Sequence, residues 1–529
     1  MLYTIDIGTS SFKSSIWDFE GNRIAFAAIP LAMSLNDGLR HETDSAQWLR
    51  AFEDSCRRLG AEAPLTAVKA LVISGNGPSL TPVLKSEGGV AGVNPRRGGE
   101  RKTAIGGLER GGRLPPPFPL STVPARLWLD RRAAKAAEQV SALMGGFVDA
   151  SFFLPKALDI KTNEPQLYEQ TKYFLGCPEL LAFALTGEAR TVFPSDGFER
   201  WFWNDSILDR LDLDREKFPP FIRPGETFGG LAPQCAVRFG MKPDIPVISG
   251  GPDFFAAILG SGVIQPGQVC DRAGTSEGIN ACTKTRITDE RLMSYSHPVK
   301  PFFNLSGIVS TTGKAIEWAR DLLGIPTPDD CLRRVHTEGM NPETNTLPKQ
   351  PYPVRSAAGL VDFCALAQTA QPGSGGLVFV PYLAGERAPI WNPSARATLR
   401  GITLSTRRAE FARSVLEGIC FAIRDVITIM EESGAVVNEL RIAGAMSGND
   451  ILNQIKADIT QKRILVTQHK ETEQLGLAII GSHALGKFAT FAEAAARLVR
   501  IEKTFHPDGK NAALYDDLFG EYRRMREMG

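Results

Sequence analysis

The residue best placed for proton transfer in this 529-residue chain is a single carboxylate, Asp253. It closes Gly250-Gly251-Pro252-Asp253, a turn between two apolar runs. Ile245 to Ser249 predicts a short buried strand, and Phe254 to Leu259 predicts the start of a helix. Glycines at such a turn let other backbone or a ligand approach closely. A carboxylate fixed there suits a general base, which must reach its substrate from a constant position. Taken alone, the residue reads better as an ordinary helix cap. The catalytic reading rests on further glycine-rich turns, each following a strand and none explained by packing.

The first of these turns lies at the start of the chain. Leu2 to Asp6 and Phe12 to Asp18 predict two strands joined by Ile7-Gly8-Thr9-Ser10-Ser11, and Ile24 to Ile29 adds a third after Gly21-Asn22. The loop gathers Gly8, three hydroxyls and Lys13 beside Asp6. Backbone N–H groups, hydroxyls and one ammonium match a phosphate tail, and Asp6 suits a magnesium ion beside it. A plain polar hairpin fits that segment equally well. The arrangement then recurs: strand Gln268 to Ala273, Gly274-Thr275-Ser276-Glu277-Gly278, strand Ile279 to Thr283. This matches the G-x-S-x-G nucleophile pattern only in letters, because an elbow needs a following helix and here a strand follows. Two copies of one phosphate-cradling hairpin, one per half, would grip a polyphosphate from both sides.

Three more strand-end turns belong to the same set. Val68 to Ser74 leads into Gly75-Asn76-Gly77-Pro78-Ser79, which fails the dinucleotide pattern but offers Asn76 to a ligand. Leu305 to Thr311 leads into Thr312-Gly313-Lys314-Ala315, a near miss of the Walker loop whose helix N-terminus suits a phosphate. Glu439 to Ala443 leads into Gly444-Ala445-Met446-Ser447-Gly448-Asn449 and a helix. Small residues there admit a flat ring such as adenine, or else tight helix–sheet packing.

The elements that must hold these turns are those of a large α/β protein. The length is too great for one core, so two large domains are expected. Thr43 to Leu59 and Gln166 to Leu185 predict helices, the second interrupted near Gly176-Cys177-Pro178. Thr406 to Glu432 predicts a long helix with Phe411, Val415, Ile419, Ile423 and Ile427 on one buried stripe. Trp201-Phe202-Trp203 has no single exposed face and predicts core. Between about 85 and 120 the composition turns to Gly, Arg and Pro, as in a mobile insertion. Trp128, Asp130, Arg131 and Arg132 then stand together, as a polar pocket lining or a surface ion-pair cluster. A formal charge of +1 gives no reason to expect nucleic acid or membrane as the main partner. The eight cysteines are scattered without zinc spacing, as small core residues of a reducing compartment. With neither a leader pattern nor a spanning apolar run, a soluble cytoplasmic protein is expected.

In this order the motifs resemble those of the FGGY carbohydrate kinases, relatives of xylulokinase, glycerol kinase and gluconate kinase. The resemblance rests on Asp6-Ile-Gly-Thr-Ser-Ser-Phe-Lys13, Trp128-Leu-Asp-Arg-Arg132, Gly250-Gly-Pro-Asp253 and Gly274-Thr-Ser276. It continues through Pro381-Tyr-Leu-Ala-Gly-Glu-Arg-Ala-Pro-Ile-Trp391 with Ala395-Arg396, and Gly444-Ala-Met-Ser-Gly-Asn449. It covers nearly the whole chain except about 85–120.

The resemblance implies two ribonuclease H-like domains of the actin/hexokinase type, here 1–245 on the sugar side and 246–529 on the nucleotide side, with ATP and sugar in the cleft between them. It implies Asp253 as the base that takes the hydroxyl proton, and Asp6 with Asp253 as the Mg²⁺ carboxylates. Thr9, Ser10, Lys13, Gly274 and Thr275 would face the β- and γ-phosphates, with Gly313 near the phosphate tail. Gly444, Ala445 and Asn449 would surround the adenosine, and Asn76, Gly77, Trp128, Asp130 and Phe254 would border the sugar. A homodimer is implied at family level only. Xylulokinases carry Met-His-Gly where this chain has Asn76-Gly77-Pro78, and Asp-Asn where it has Asp253-Phe254. The resemblance therefore implies a substrate class, a small sugar, keto-sugar, polyol or sugar acid, without singling out xylulose. Gly385 to Trp391 looks closer to gluconate kinases and is expected to lie outside the sugar pocket. The competing expectations are a sensor that binds and closes without transfer and an actin- or chaperone-like ATPase.

Overall fold

The computed structural model describes residues 1–32, 35–85, 122–325 and 358–528. The expected insertion at about 85–120 lies almost wholly outside the described residues.

Each half is built on one mixed sheet. In the first, β1 (Leu2–Ile7), β2 (Ser11–Trp17) and β3 (Arg23–Pro30) form an antiparallel meander. Beyond β1 the sheet continues through β4 (Ala70–Gly75), β6 (Pro246–Pro252) and the edge strand β5 (Thr227–Gly230). β1, β4 and β6 run parallel, and β5 returns antiparallel. All six residues of β1 and of β4 are buried, as strands covered on both faces must be. The second sheet repeats the plan. β7 (Gly267–Ala273), β8 (Glu277–Thr283) and β10 (Phe303–Val309) form the antiparallel part, with β9 (Met293–Ser296) at the edge. β11 (Val437–Ala443) and β12 (Arg463–Thr467) add parallel strands beyond β7, and β13 (Ile501–Phe505) closes antiparallel.

Helices cover both sheets. α1 (Ala46–Gly60) buries Trp48, Phe52 and Cys56 against the first. α4 (Arg408–Glu432) packs on the second and buries Val415, Ile419, Ile423 and Ile427 of the expected stripe, while Phe411 at its start is only partly buried. The burial extends further round the helix, through Leu416, Phe421 and Val426.

Two helices tie the halves together. α2 (Asp253–Gly260) follows β6, and α6 (Thr472–Ala484) comes from the far end of the chain to cover Leu2, Val72 and Ile248 of the first sheet. They meet backbone to backbone. A Cβ on Gly260 would lie 1.8 Å from the carbonyl oxygen of Thr472, and one on Gly476 would lie 1.9 Å from that of Ala256. Only glycine permits this crossing, which fixes where the helix beginning at Asp253 sits.

One local expectation fails. Within 166–185, Thr171–Leu175 is a strand and only Pro165–Gln170 and Cys177–Thr186 are helical. Thr171 to Leu175 pairs antiparallel with Thr81–Leu84, and that partner, distant in sequence, overrides the helical pattern. The helix Phe153–Asn163 was not foreseen. Trp201, Phe202 and Trp203 are buried, as expected of core. The seven described cysteines are buried and free of disulfides. No helix among the described residues is long and apolar enough to cross a membrane.

Candidate active site

The two expected hairpins are both present. β1 and β2 turn through Gly8 to Ser10, closed by Gly8 N donating to Ser11 O at 2.9 Å. β7 and β8 turn through Gly274 to Ser276, closed by Gly274 N donating to Ser276 O at 3.1 Å. Asp253 is the first residue of α2 rather than its cap, a position held by Pro252. Its Oδ1 accepts from the N–H of Phe254 at 2.7 Å. Its Oδ2 lies 2.8 Å from Nη1 of Arg272, at the end of β7.

Around Asp253 the fold gathers charges from both halves. Asp6 is 7% exposed and its Oδ1 has no hydrogen-bond partner. Burial first, then Glu473 and Asp253, push its carboxyl up to about 8. Burial also raises Glu473. Lys13 is bonded to Glu471. Its ammonium is held above the usual lysine range because Glu471 and Glu473 outweigh the effect of burial. Four carboxyl groups thus face two cations, Lys13 and Arg272. A magnesium ion fits such a place: it takes one or two carboxylates and fills its remaining positions with water and phosphate oxygens. The unpartnered Asp6 Oδ1 is the observation that fits it. Among the described residues no group of three ligands forms a ready-made cage.

The other expected residues divide. Thr9 Oγ1 accepts from Trp128 Nε1 at 3.0 Å, joining the first hairpin to the residue expected to border the sugar. The carboxamide of Asn76 is buried with neither its oxygen nor its nitrogen partnered, which suits a polar ligand. Gly77 has open space around it. Lys156, fully buried, donates to Pro78 O and Leu127 O, each at 2.7 Å, and so clamps the Asn76 turn to the Trp128 segment. Asp130 is different. It is 0% exposed, and its oxygens accept from His41 N and from Arg132. Burial would raise its carboxyl, but those bonds and the Arg132 charge hold it below the usual range. Both oxygens of Asp130 are thus engaged within the protein, tying the Trp128 segment to His41 and Arg132. Phe254 packs with Phe198 and Tyr295, ring centroids 6.0 and 5.5 Å apart, in an aromatic contact between the halves.

On the nucleotide side, several glycines are explained by packing, against expectation. A Cβ on Gly313 would lie 2.4 Å from Gly274 O, and one on Gly444 would lie 2.4 Å from Ala273 O. The helix α3 (Gly313–Leu322) uses its first amides on the hairpin: Gly313 N donates to Gly274 O and Lys314 N to Thr275 O. That N-terminus buttresses the hairpin and has no free first amide to offer a phosphate. Gly444 adopts φ +87° and leads into the 3₁₀ turn Ala445–Gly448. Asn449 caps α5 (Asp450–Thr460), its Oδ1 accepting from Leu452 N at 2.9 Å. The Gly385–Trp391 segment also departs from expectation. The Arg387 guanidinium lies 5.5 Å from the ring centre of Trp128, so the segment reaches the expected sugar side.

Sequence alone does not single out Arg272, Glu471, Glu473 or Lys156, and it holds Arg387 only as part of the motif from Pro381 to Trp391. Arg272 alone left a usable signal. It stands two residues before Gly274-Thr275, as Asp6 stands two before Gly8-Thr9.

The C-terminal domain model of the FGGY family of carbohydrate kinases matches residues 272–485, and its N-terminal domain model matches residues 122–260. The chain is 24% identical to xylulose kinase from Staphylococcus epidermidis, over 98% of this chain and 95% of that protein. Its fold resembles ligand-bound xylulose kinase from Lactobacillus acidophilus, with a TM-score of 0.78 and 22% identity over 100% of this chain and 98% of that one. Glycerol kinase with ADP from Plasmodium falciparum superposes with a TM-score of 0.75 and 17% identity over 99% and 97%. The two sheets of one plan and both domain models agree: the chain belongs to the FGGY family of carbohydrate kinases.

Proposed function

We propose that this kinase transfers the γ-phosphoryl group of Mg-ATP to a hydroxyl of a pentulose, hexulose, polyol or sugar acid, with Asp253 as general base. The observation that carries this is the place of Asp253, 2.8 Å from Arg272 and among the charges of Asp6 and Glu473. Asp6 and Arg272 each stand two residues before a Gly-Thr hairpin turn. The hydroxyl oxygen bonds to the γ-phosphorus as the bond to the bridging oxygen breaks. The electron pair leaves with ADP, and the proton goes to the Asp253 carboxylate. Phosphoryl transfer asks little covalent work of a protein beyond positioning and charge neutralisation. Asp6, with Asp253 beside it, would hold the magnesium ion, which neutralises phosphate charge when bound. Thr9, Ser10 and Thr275 lie on the two loops that would hold the phosphates. Asn76, Gly77 and Trp128 would border the sugar, and Gly444, Ala445 and Asn449 the adenosine. Closure of the halves would exclude water, the competing acceptor.

The test is ADP release from Mg-ATP across a panel of pentuloses, hexuloses, polyols and aldonates, with Asp253→Asn alongside. Turnover with one compound class, reduced about 10²–10⁴-fold in the variant while ATP still binds, is expected. Equal, sugar-independent turnover in both proteins would refute the assignment and favour a sensor or an ATPase.

A further inference from the structure

We propose that Arg272 is a further catalytic residue, a guanidinium supplied from within the chain that bridges the base Asp253 and the phosphoryl group in transfer. The inference rests on the kinase assignment above and adds a group to its chemistry.

Four observations converge. Arg272 is the last residue but one of β7, directly ahead of the Gly274-Thr275-Ser276 turn, so its side chain leaves the sheet beside the second phosphate loop. Its Nη1 lies 2.8 Å from Asp253 Oδ2, yet it is buried without a hydrogen-bond acceptor in line. The contact is therefore one of charge, with N–H bonds still unmatched. Across the ladder its partner is Gly278, which has no side chain to confine the guanidinium. The equivalent of Arg272 in the first hairpin is Asp6, whose partner is Lys13. One hairpin thus presents an acid and the other a base at the same station.

The chemistry follows from the charge that must be met. As the sugar oxygen attacks and ADP departs, negative charge spreads over the three equatorial phosphoryl oxygens. A guanidinium has five N–H donors in a planar fork, so it can keep one nitrogen on Asp253 and turn others to those oxygens. The same fork would fix the Asp253 carboxylate relative to the phosphorus, so base and phosphoryl group are aligned by one side chain. A lysine has one ammonium and cannot span both.

Arg272→Gln and Arg272→Lys test this. With whichever carbohydrate gives most turnover in the wild type, Arg272→Gln should lose about 10²–10³-fold in kcat. Its KM for ATP should stay within about threefold, the mark of an interaction made only in the transition state. Binding of ADP with magnesium and aluminium fluoride, without sugar, should weaken about as much, while ADP alone binds normally. That second readout is blind to Asp253 orientation, because no hydroxyl is present. Millimolar guanidinium ion should restore part of the lost kcat. Arg272→Lys, which keeps the charge if Gln disturbs folding, should still be down about 10-fold. Wild-type kcat in either variant, or unaltered ADP–aluminium fluoride affinity in Arg272→Gln, overturns the inference. Absence of sugar-dependent turnover in the wild type would instead refute the kinase assignment.

Discussion

The two Gly-Thr-Ser hairpins share a plan and differ in what stands behind them. Behind the first, Ile5, Ile7 and Phe12 are fully buried in an apolar core. Behind the second, the matching strand positions hold Asp271 and Glu277, and both carboxylates bond to Lys456 of α5. Side-chain exposure in this triad is 1% or less. Apolar packing gives a hairpin stability cheaply but tolerates small shifts. A buried ion triad must overcome a large desolvation cost, and it does so only in one geometry. The cleft-facing sides are reversed in charge: Asp6 in the first hairpin and Arg272 in the second. On the proposed function, one loop would meet a cation and the other an anion, while both keep the same turn.

Breaking the triad should give the largest effect. Lys456→Met leaves two buried carboxylates uncompensated and should cost about 3–5 kcal/mol in urea-unfolding stability. Replacing all three with Asp271→Val, Glu277→Leu and Lys456→Met should recover most of that loss, making the second hairpin resemble the first. If the triple variant is no better than Lys456→Met, the triad is not the anchor.

A smaller effect is expected at Asp6. Its folded-state value near 8 lies above the ordinary carboxylate value, so the folded protein keeps a proton that the unfolded chain releases. Stability is then fully present below about pH 4 and is lost as pH rises through about 8. With magnesium chelated, Asp6→Asn should raise Tm by a few degrees at pH 8, a gain that shrinks towards pH 4. A pH-independent difference would remove Asp6 from its role as the destabilised, cation-seeking member of the pair.

The smallest effect belongs to the brace that only the first hairpin has. Trp128→Phe removes the donor to Thr9 but keeps an aromatic face for Arg387. It should lower kcat/KM by about 3–10-fold, the weight of one hydrogen bond. Unchanged kcat/KM would show that the Thr9 hydroxyl needs no outside support.

The turns were legible because their signals are short-range. Gly-Thr-Ser between two β-branched runs predicts a hairpin from neighbouring residues alone, and Gly250-Gly-Pro-Asp253 predicts a strand that becomes a helix. The helix expected through Thr171 to Leu175 was misread because a distant strand claims those residues. Gly313 reads as a helix start suited to a phosphate and Gly444 as either an opening to a flat ring or tight packing, yet each faces another segment's carbonyl. Chain neighbours cannot reveal that.

By itself the sequence determined the two hairpin loops and the strand-to-helix turn that carries Asp253, since each depends on propensities acting over a few residues. Only the tertiary structure decided which charges meet. Glu471 reaches Lys13 across 458 residues of chain, and Arg272 reaches Asp253 because β7 and α2 converge where two glycines let α2 and α6 touch. A side chain's partner is set by how sheets and helices pack, and that packing is a property of the whole core rather than of any stretch within it.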